Sequence, residues 1–343
     1  MKRLLILLFA QIALTLTVCA STKLKVLQFN IWQEGTMVEN GFDAIIDEII
    51  HTDADIVLFS EVRNYNNRPL IPRVTEALKQ KGASYYGNAP TKLDVGIISK
   101  FPQADQTEIY PDGSGSGSIL RVTMQVGKHC VAVYSAHLNY TNYACYLPRG
   151  YDGMTWKKLP ARATDADSVL IANRRSWRDE SINVFLEKVL QDIDLKHRVI
   201  LGGDFNEPSH LDWQENSKDL WDHNGLVINW DCSTLLYNDG FRDAYRVIYP
   251  NVLTHPGFTF PSDNPDLPVK KLSWAPDADE RDRIDFIYYY PMPGFKPKKA
   301  WIVGPRNSIV RNERKAETSK DQFIVPKSTW PSDHKGVLVE FTL

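Results

Sequence analysis

Short apolar runs recur along the chain, and most of them end in, or are followed by, a polar residue. Runs of about four to eight residues rich in Val, Ile and Leu are typical of strands buried on both faces. We therefore predict strands at 24–31, 55–60, 95–98, 119–126, 130–135, 198–201, 284–290 and 336–343. A chain with this many buried strands needs a core built around sheets.

Two stretches have helical spacing instead. Residues 42–50 place their isoleucines on one face, and the apolar residues of 176–191 repeat at intervals of three and four. We expect residues 205–280 to be mostly loop, and the Gly-Ser patch at 113–118 to be a flexible hairpin loop. No glycine-rich phosphate loop follows a strand, which argues against Rossmann and P-loop chemistry. The pattern favours α/β, a two-sheet core covered by helices.

The N-terminus is typical of an export signal. Two basic residues, Lys2 and Arg3, precede an apolar stretch at 4–18, and small residues follow at Cys19 and Ala20. We predict that 1–20 is a secretory signal peptide and that 21–343 is one catalytic domain, secreted or periplasmic. An uncleaved membrane helix and a lipoprotein anchor on Cys19 are the alternatives. We expect a monomer without a transmembrane segment in the mature chain.

Removal of the leader leaves three cysteines, which cannot all pair within one chain. Cys130 falls in a predicted strand and is expected to be a buried thiol. Cys145 and Cys232 fall in loop-like sequence, so a disulfide between them is an open alternative in an oxidising compartment.

The polar residues at the strand ends carry the chemistry. Strands of packed sheets bring their ends to a common rim, where carboxylate and amide oxygens suit Mg²⁺, Mn²⁺ or Ca²⁺. Histidines beside carboxylates suit proton transfer near neutral pH. Each residue alone has an ordinary structural explanation, because Asn favours turns and a single His is often structural. The candidate set is Asn30, Glu61, His137, Asp204, Asn206, Asp285, Asp333 and His334.

The order of these residues resembles the endonuclease/exonuclease/phosphatase superfamily. The resemblance runs through the segments at 28–32, 59–62, 135–138, 203–206, 283–287 and 332–334, and so covers nearly all of residues 22–343. It implies the DNase I-like fold, a four-layered α/β/β/α sandwich. The histidine at 137 matches DNase I and the phosphodiesterase and phosphatase branches, whereas the exonuclease III-like repair branch lacks it.

The resemblance also implies roles. Asn30, Glu61 and Asp333 match the metal site, with Glu61 as the direct ligand. Asp204 and Asn206 match the pair that positions the attacking water and a phosphate oxygen. His334 matches the active-site histidine, Asp285 the carboxylate that orients it, and His137 a second histidine. Whether Asp204 or His334 is the general base, and whether one or two metals act, stays open.

The loops must choose the substrate, because this fold serves many phosphoesters. The segment after His137 carries four tyrosines and an arginine, and we predict Tyr143, Arg149, Trp274 and Arg178 as substrate contacts. The alternative is a rigid loop of packed tyrosines with solvated arginines.

Charge gives a further indication. Losing the leader lowers the formal charge from −2 to −4, and no basic run lies near the motifs. A small or non-nucleic phosphoester is therefore favoured over nucleic acid, which basic surfaces bind. The alternatives are a DNase I-like endonuclease or exonuclease, a sphingomyelinase-like lipid phosphodiesterase using an apolar hairpin at 288–295, and an inactive binding protein.

Overall fold

The computed structural model describes residues 22–109 and 117–343 of the 343-residue chain. The predicted leader at 1–20 and most of the Gly-Ser patch lie outside the described residues. Within the described part, no helix is long and apolar enough to cross a bilayer.

Every predicted strand and both predicted helices are present, with ends shifted by a few residues. The strands are β1 (Lys23–Asn30), β2 (Ile56–Ser60), β3 (Tyr86–Gly87), β4 (Val95–Ser99), β5 (Gln103–Ile109), β6 (Gly117–Val126), β7 (His129–Leu138), β8 (Arg198–Asp204), β9 (Arg242–Asp243), β10 (Asp285–Tyr289), β11 (Lys296–Val303), β12 (Ser308–Val310), β13 (Glu313–Lys315), β14 (Phe323–Ile324) and β15 (Gly336–Thr342). The helices are α1 (Gly41–Thr52), α2 (Leu70–Gln80), α3 (Ala166–Asn173), α4 (Arg178–Asp194), α5 (Asp231–Asn238) and α6 (Ala244–Ile248). Residues 205–280 are mostly irregular, as expected, apart from α5, α6 and the short β9.

Two large sheets form the centre of the fold. One has the strand order β14–β11–β15–β1–β2–β4–β3 and the other β5–β6–β7–β8–β10–β9. Most neighbouring strands are antiparallel, but β11 pairs with β14 in parallel, and so do β1 with β2 and β7 with β8. The carboxyl ends of β1 and β2 therefore lie together in the first sheet, and those of β7 and β8 lie together in the second.

Alternation along the strands builds the layers. In β2, Ile56 and Leu58 enter the core between the two sheets, while Val57 and Phe59 face the helices. Successive strand residues point to opposite faces, so a strand that is apolar at every position must be covered on both sides. This explains the continuous apolar runs in the sequence.

Helices cover both outer faces. Side chains of α1 and α2 pack on the first sheet, and α4 presents Ile182, Phe185 and Val189 to the second. Burying each such side chain contributes about 1.5–3 kcal/mol. The result is a helix–sheet–sheet–helix stack, which confirms the predicted four-layered sandwich.

The two sheets approach closely at the rim where β2 and β8 end. The Ser60 hydroxyl donates to the carbonyl of Ala136 across the sheets at 3.1 Å. A Cβ on Gly202 would lie 2.6 Å from the end of the Leu58 side chain, so a larger residue at this position in β8 would displace that side chain. This close contact brings the polar residues that follow each strand into one place.

The cysteine predictions need correction. Cys130 lies in β7 but is only partly buried, and Cys145 and Cys232 are buried free thiols rather than a disulfide. Cys145 interacts with Asp282 in one apolar cluster, whereas Cys232 interacts with Glu207 in another. Each thiol therefore has its own local partner.

Candidate active site

Asp204 lies at the centre of the rim, as the last residue of β8. Its Oδ2 is 3.8 Å from Nε2 of His137 and 3.8 Å from Nε2 of His334, and it accepts a hydrogen bond from the Asn30 amide at 2.9 Å. The side chain is almost fully buried. Burial and the neighbouring Asp285 raise the pKa of Asp204 to about 6, although both histidines oppose the rise.

His334 forms a pair with Asp285. The distance from Nδ1 of His334 to Oδ2 of Asp285 is 2.9 Å, and the other carboxylate oxygen accepts from the Gln28 side chain at 2.8 Å. Asp285 sits opposite Asp204 in the β10–β8 ladder, which explains why the pair faces that carboxylate. Burial lowers the pKa of His334, but Asp285 and Asp204 outweigh it and hold the pKa well above its usual value.

His137 forms a second pair, with Asp94, which the sequence analysis did not single out. Nδ1 of His137 lies 2.6 Å from Oδ2 of Asp94, and Arg63 donates to the same oxygen at 3.0 Å. Burial lowers the pKa of His137, but Asp94, Asp204 and Glu61 raise it to about 9. Asp204 thus lies between two imidazoles, each oriented by its own carboxylate.

Asn206 belongs to a strained turn after β8. Its backbone has a φ of 48°, which is unusual for a residue other than glycine. Its N–H donates to Oδ1 of Asp204 at 2.9 Å, and its side-chain amide donates to the carbonyl of Leu138 at 3.0 Å. The turn therefore fixes the Asp204 carboxylate, and such strain is often concentrated at functional sites.

Glu61 follows β2 with a φ of 68° and carries a second, separate carboxylate into the site. Oε2 accepts from the Gln33 backbone at 2.9 Å and from Arg63 at 3.3 Å, and Oε1 accepts from the Asn30 amide at 3.2 Å. The side-chain oxygen Oδ1 of Asn30 already accepts a hydrogen bond from the Trp32 N–H at 2.9 Å. In this arrangement Asn30 orients the carboxylates of Glu61 and Asp204 rather than offering its own oxygen.

Asp333 is a buried carboxylate without a close cationic partner among the described residues. Burial and nearby Glu61 raise its pKa to about 7, against the effect of His334. In the described part of the chain its Oδ1 accepts no hydrogen bond, and the nearest cation, Nε2 of His334, is 4.0 Å away. Two close carboxylates with an unsatisfied buried oxygen are what a divalent cation would neutralise. The residues present therefore fit a metal ion.

Asp204, Asp285 and His334 form a second group of side chains that could bind a metal ion. Donor atoms of Asp204, Asp285 and His334 all lie within 4.8 Å of one another, so this buried group could also bind a metal. Asp285 and His334 are already bonded to each other, however, which leaves Asp204 as the carboxylate of this group that can face an ion.

A pocket of about 610 Å³ opens at this site. Its lining includes Glu61, His137, Asp204, Asp333 and His334, together with seven aromatic side chains. The aromatic residues that line it are Trp32, Tyr140, Tyr143, Tyr146, Trp156, Phe260 and Trp274. Two of the predicted substrate contacts, Tyr143 and Trp274, are thus part of the pocket.

Comparison with known proteins agrees with this geometry. The sequence profile of the Endonuclease/Exonuclease/phosphatase family matches residues 27–334, from β1 to His334. The chain belongs to this family. Members of the family are hydrolases, and most depend on a divalent metal.

Relatives extend over the same length. An uncharacterized protein of Caenorhabditis elegans is 28% identical over 333 residues, covering 94% of this chain and 92% of that protein. Zebrafish (D. rerio) TDP2, solved with a single-strand DNA product, is similar in structure with a TM-score of 0.53 at 15% identity, covering 94% of this chain and 100% of that one. The human Nocturnin catalytic domain, solved with sulfate, gives 0.50 at 14% identity, covering 93% and 94%. At these identities the solved structures show a shared fold.

Arg149 and Arg178 are not where substrate contacts were expected. The buried Arg149 guanidinium pairs with Asp282, and neither arginine lines the pocket. Arg178 donates to the carbonyls of Asn139 at 2.7 Å and Asn142 at 3.1 Å. We assign both to holding the loop after β7, since their donors are directed into the protein.

Proposed function

We propose that this protein is a divalent-metal-dependent phosphoesterase that hydrolyses a small phosphodiester or phosphomonoester by in-line attack of water. The observation that carries the proposal is the position of Asp204, with Nε2 of His137 and of His334 each 3.8 Å from its Oδ2. One carboxylate between two oriented imidazoles provides a base and two acids within reach of a single phosphorus centre.

The residues divide naturally between the steps. Asp204, with a pKa of about 6, is ionised at neutral pH and accepts the proton of the attacking water. His137, with a pKa of about 9, and His334 carry positive charge at neutral pH. They stabilise charge on the phosphoryl oxygens and donate a proton to the departing oxygen. This assigns the base, which the sequence left open, to Asp204.

Glu61 and Asp333 are the residues that would hold the metal, with Asn30 orienting Glu61. When bound there, a divalent cation supplies Lewis-acid stabilisation of the phosphoryl and leaving oxygens. The chain's own contribution is to keep the carboxylates in place. The Gln33 N–H and Arg63 fix Glu61, and Asp333 is held almost fully buried at the pocket.

A small substrate is supported by the pocket. A nuclease that tracks a polyanionic backbone needs a long basic surface, whereas the basic residues lining this pocket are Arg63, Lys270 and Lys271, and Arg63 is already paired with two carboxylates. The hairpin considered for lipid binding is no support for that alternative, because Tyr288, Tyr289 and Phe295 are all buried. An inactive binding protein is disfavoured because the site is complete.

A substrate panel tests the proposal. We expect Mg²⁺-dependent hydrolysis of p-nitrophenyl phosphate or bis-p-nitrophenyl phosphate, with little nicking of plasmid DNA and little release from phospholipid vesicles. Asp204→Asn should reduce turnover by at least about 100-fold, whereas Asp219→Asn, at an exposed aspartate outside the pocket, should not. Rapid plasmid nicking would instead support the endonuclease alternative. A folded Asp204→Asn protein with wild-type turnover would refute the proposed function.

We also propose that the protein is exported and acts as a monomer. The basic and apolar N-terminal residues support export. N-terminal sequencing of protein recovered from outside the cytoplasm tests it, with a start near residue 21 as the expected result.

A further inference from the structure

A continuous row of aromatic rings leads away from the reacting centre. The Phe260 ring lies 4.8 Å from that of His334 and 6.4 Å from that of Tyr143. Tyr143 in turn lies 6.4 Å from Trp156, which is 6.0 Å from Trp274. We call Tyr143, Trp156, Phe260 and Trp274 the aromatic trough. It ends at Trp274, which is 40% exposed, and hydrolysis at phosphorus makes no use of it.

Hydrogen bonds to one buried carboxylate hold the Trp274 end of the trough in place. The buried carboxylate of Glu280 accepts hydrogen bonds from the Tyr146 hydroxyl, from the Ser273 hydroxyl at 2.7 Å, and from the backbone N–H groups of Trp274 and Ala275 at 3.1 and 3.0 Å. A single carboxylate thus fixes the segment that presents Trp274. An exposed indole held in this way is pre-organised for a ligand.

Trp156 is also held in place. It adopts a φ of 60°, after a turn in which Oδ1 of Asp152 accepts from the N–H of Thr155 at 2.7 Å. The turn packs so closely on Tyr143 that a Cβ on Gly153 would lie 2.5 Å from the Tyr143 carbonyl oxygen. The unusual backbone of Trp156 and the close packing on Tyr143 hold the Trp156 ring in a fixed position at the pocket.

Two lysines belong to the same pocket as the aromatic trough. Lys270 and Lys271 both line the pocket and are exposed, and neither forms an ion pair with any described residue. Exposed lysines in the lining suit an anionic group of the substrate. The trough itself offers few free hydrogen-bond acceptors, since the Glu280 carboxylate is used internally, so it suits a flat ring better than a polyol.

We propose that the aromatic trough stacks a planar aromatic ring of the substrate, and that Lys270 and Lys271 bind a second anionic group on the same molecule. This inference rests on the proposed function, because it assumes that the reacting phosphoester lies beside Asp204. It defines the substrate class as a small phosphoester that carries a planar ring and a further negative charge.

Calorimetric titration of the full chain tests this, in the Asp204→Asn background with Mg²⁺ so that ligands are not turned over. The probes are adenosine 3′,5′-bisphosphate, adenosine 5′-monophosphate and ribose 5-phosphate. We expect affinity to fall in that order, with at least about tenfold between the last two. Adding Trp274→Ala should weaken both adenosine compounds about tenfold and leave ribose 5-phosphate unchanged. Trp177→Ala is the matched control, at a half-exposed tryptophan outside the pocket.

The lysines are tested by a Lys270→Gln/Lys271→Gln double variant in the same background. It should weaken only the bisphosphate, by about fivefold, and the difference should disappear at 0.5 M salt. Equal affinity for the monophosphate and ribose 5-phosphate, or an equal loss for all three probes with Trp274→Ala, would overturn ring stacking. Equal loss of both adenosine compounds in the lysine variant would overturn the second anion site. Hydrolysis of the p-nitrophenyl esters is a separate readout, so failure of the proposed function is distinguished from failure of this inference.

Discussion

Replacing Asp94 with asparagine tests the arrangement of two oriented histidines. The Asp94 carboxylate lies 2.6 Å from Nδ1 of His137 and is the largest influence raising its pKa to about 9 against burial. Without that charge, burial is opposed only by Asp204 and Glu61, so we expect the pKa of His137 to return to about the ordinary histidine value of 6.5. A fall from about 9 to about 6.5 removes about 3 kcal/mol of stabilisation from the protonated ring.

The consequence for catalysis follows from the protonated fraction. At pH 7.5 a group with a pKa of about 9 is almost fully protonated, whereas one with a pKa of about 6.5 is about one-tenth protonated. Asp94→Asn should therefore reduce kcat/KM at pH 7.5 by at least about tenfold, and by up to about 100-fold if the ring also loses its orientation. Lowering the pH to 6 should recover part of the loss.

The assay is a pH series of kcat/KM on the best p-nitrophenyl ester, with the melting temperature as a check on folding. Asp219→Asn is the control, because that exposed aspartate is not among the residues that line the pocket. A folded Asp94→Asn protein with wild-type kcat/KM across this pH range would refute the role of the second pair.

Three further predictions concern pH, metal and stability. The kcat/KM of the wild type should rise through pH 6 as Asp204 loses its proton and fall through pH 9 as His137 loses its positive charge, in a bell-shaped profile. Saturating Mg²⁺ should raise the melting temperature by about 5 °C, and Glu61→Gln, which weakens the site shared with Asp333, should abolish most of that shift in scanning calorimetry. Arg178→Ala should lower the free energy of unfolding in urea by about 3–5 kcal/mol, since it removes a buried cation that Glu207 faces.

The sequence predicts the layers well because most of the central strands are continuous apolar runs. A run such as 56–59, apolar at every position, must be covered on both faces, and helices with one apolar stripe provide the cover. The polar residues at the ends of β1, β2, β7 and β8 were predicted to lie together because the ends of packed strands meet at a common rim. The structure has β1 parallel to β2 and β7 parallel to β8, so each pair ends on the same side of its sheet.

Asp94 escaped that reasoning because it precedes its strand. β4 runs antiparallel to β2, with Val95 opposite Ser60, so the beginning of β4 lies at the rim where β2 ends. Asp285 likewise stands at the start of β10, opposite Asp204 at the end of the antiparallel β8. Strand direction is a tertiary property, and the residue pattern of a short strand does not encode it.

The roles of the arginines and the cysteines could not be predicted from the sequence for a different reason. A sequence gives the charge of Arg149 and Arg178 but not whether a buried carboxylate already pairs with it, as Asp282 and Glu207 do. A disulfide between Cys145 and Cys232 was likewise only an alternative, suggested by their loop-like sequence, and the two residues lie in separate apolar clusters. Such assignments depend on contacts between residues far apart in the chain.

Hydrolysis in ¹⁸O-labelled water is the most direct test of water attack at phosphorus in this pocket. With Mg²⁺, the wild-type protein should place one ¹⁸O in the phosphate-bearing product and none in the alcohol, and chelation of the metal or Asp204→Asn should remove the label together with the activity. Label in the alcohol, or labelled phosphate formed equally fast by Asp204→Asn, would contradict the account.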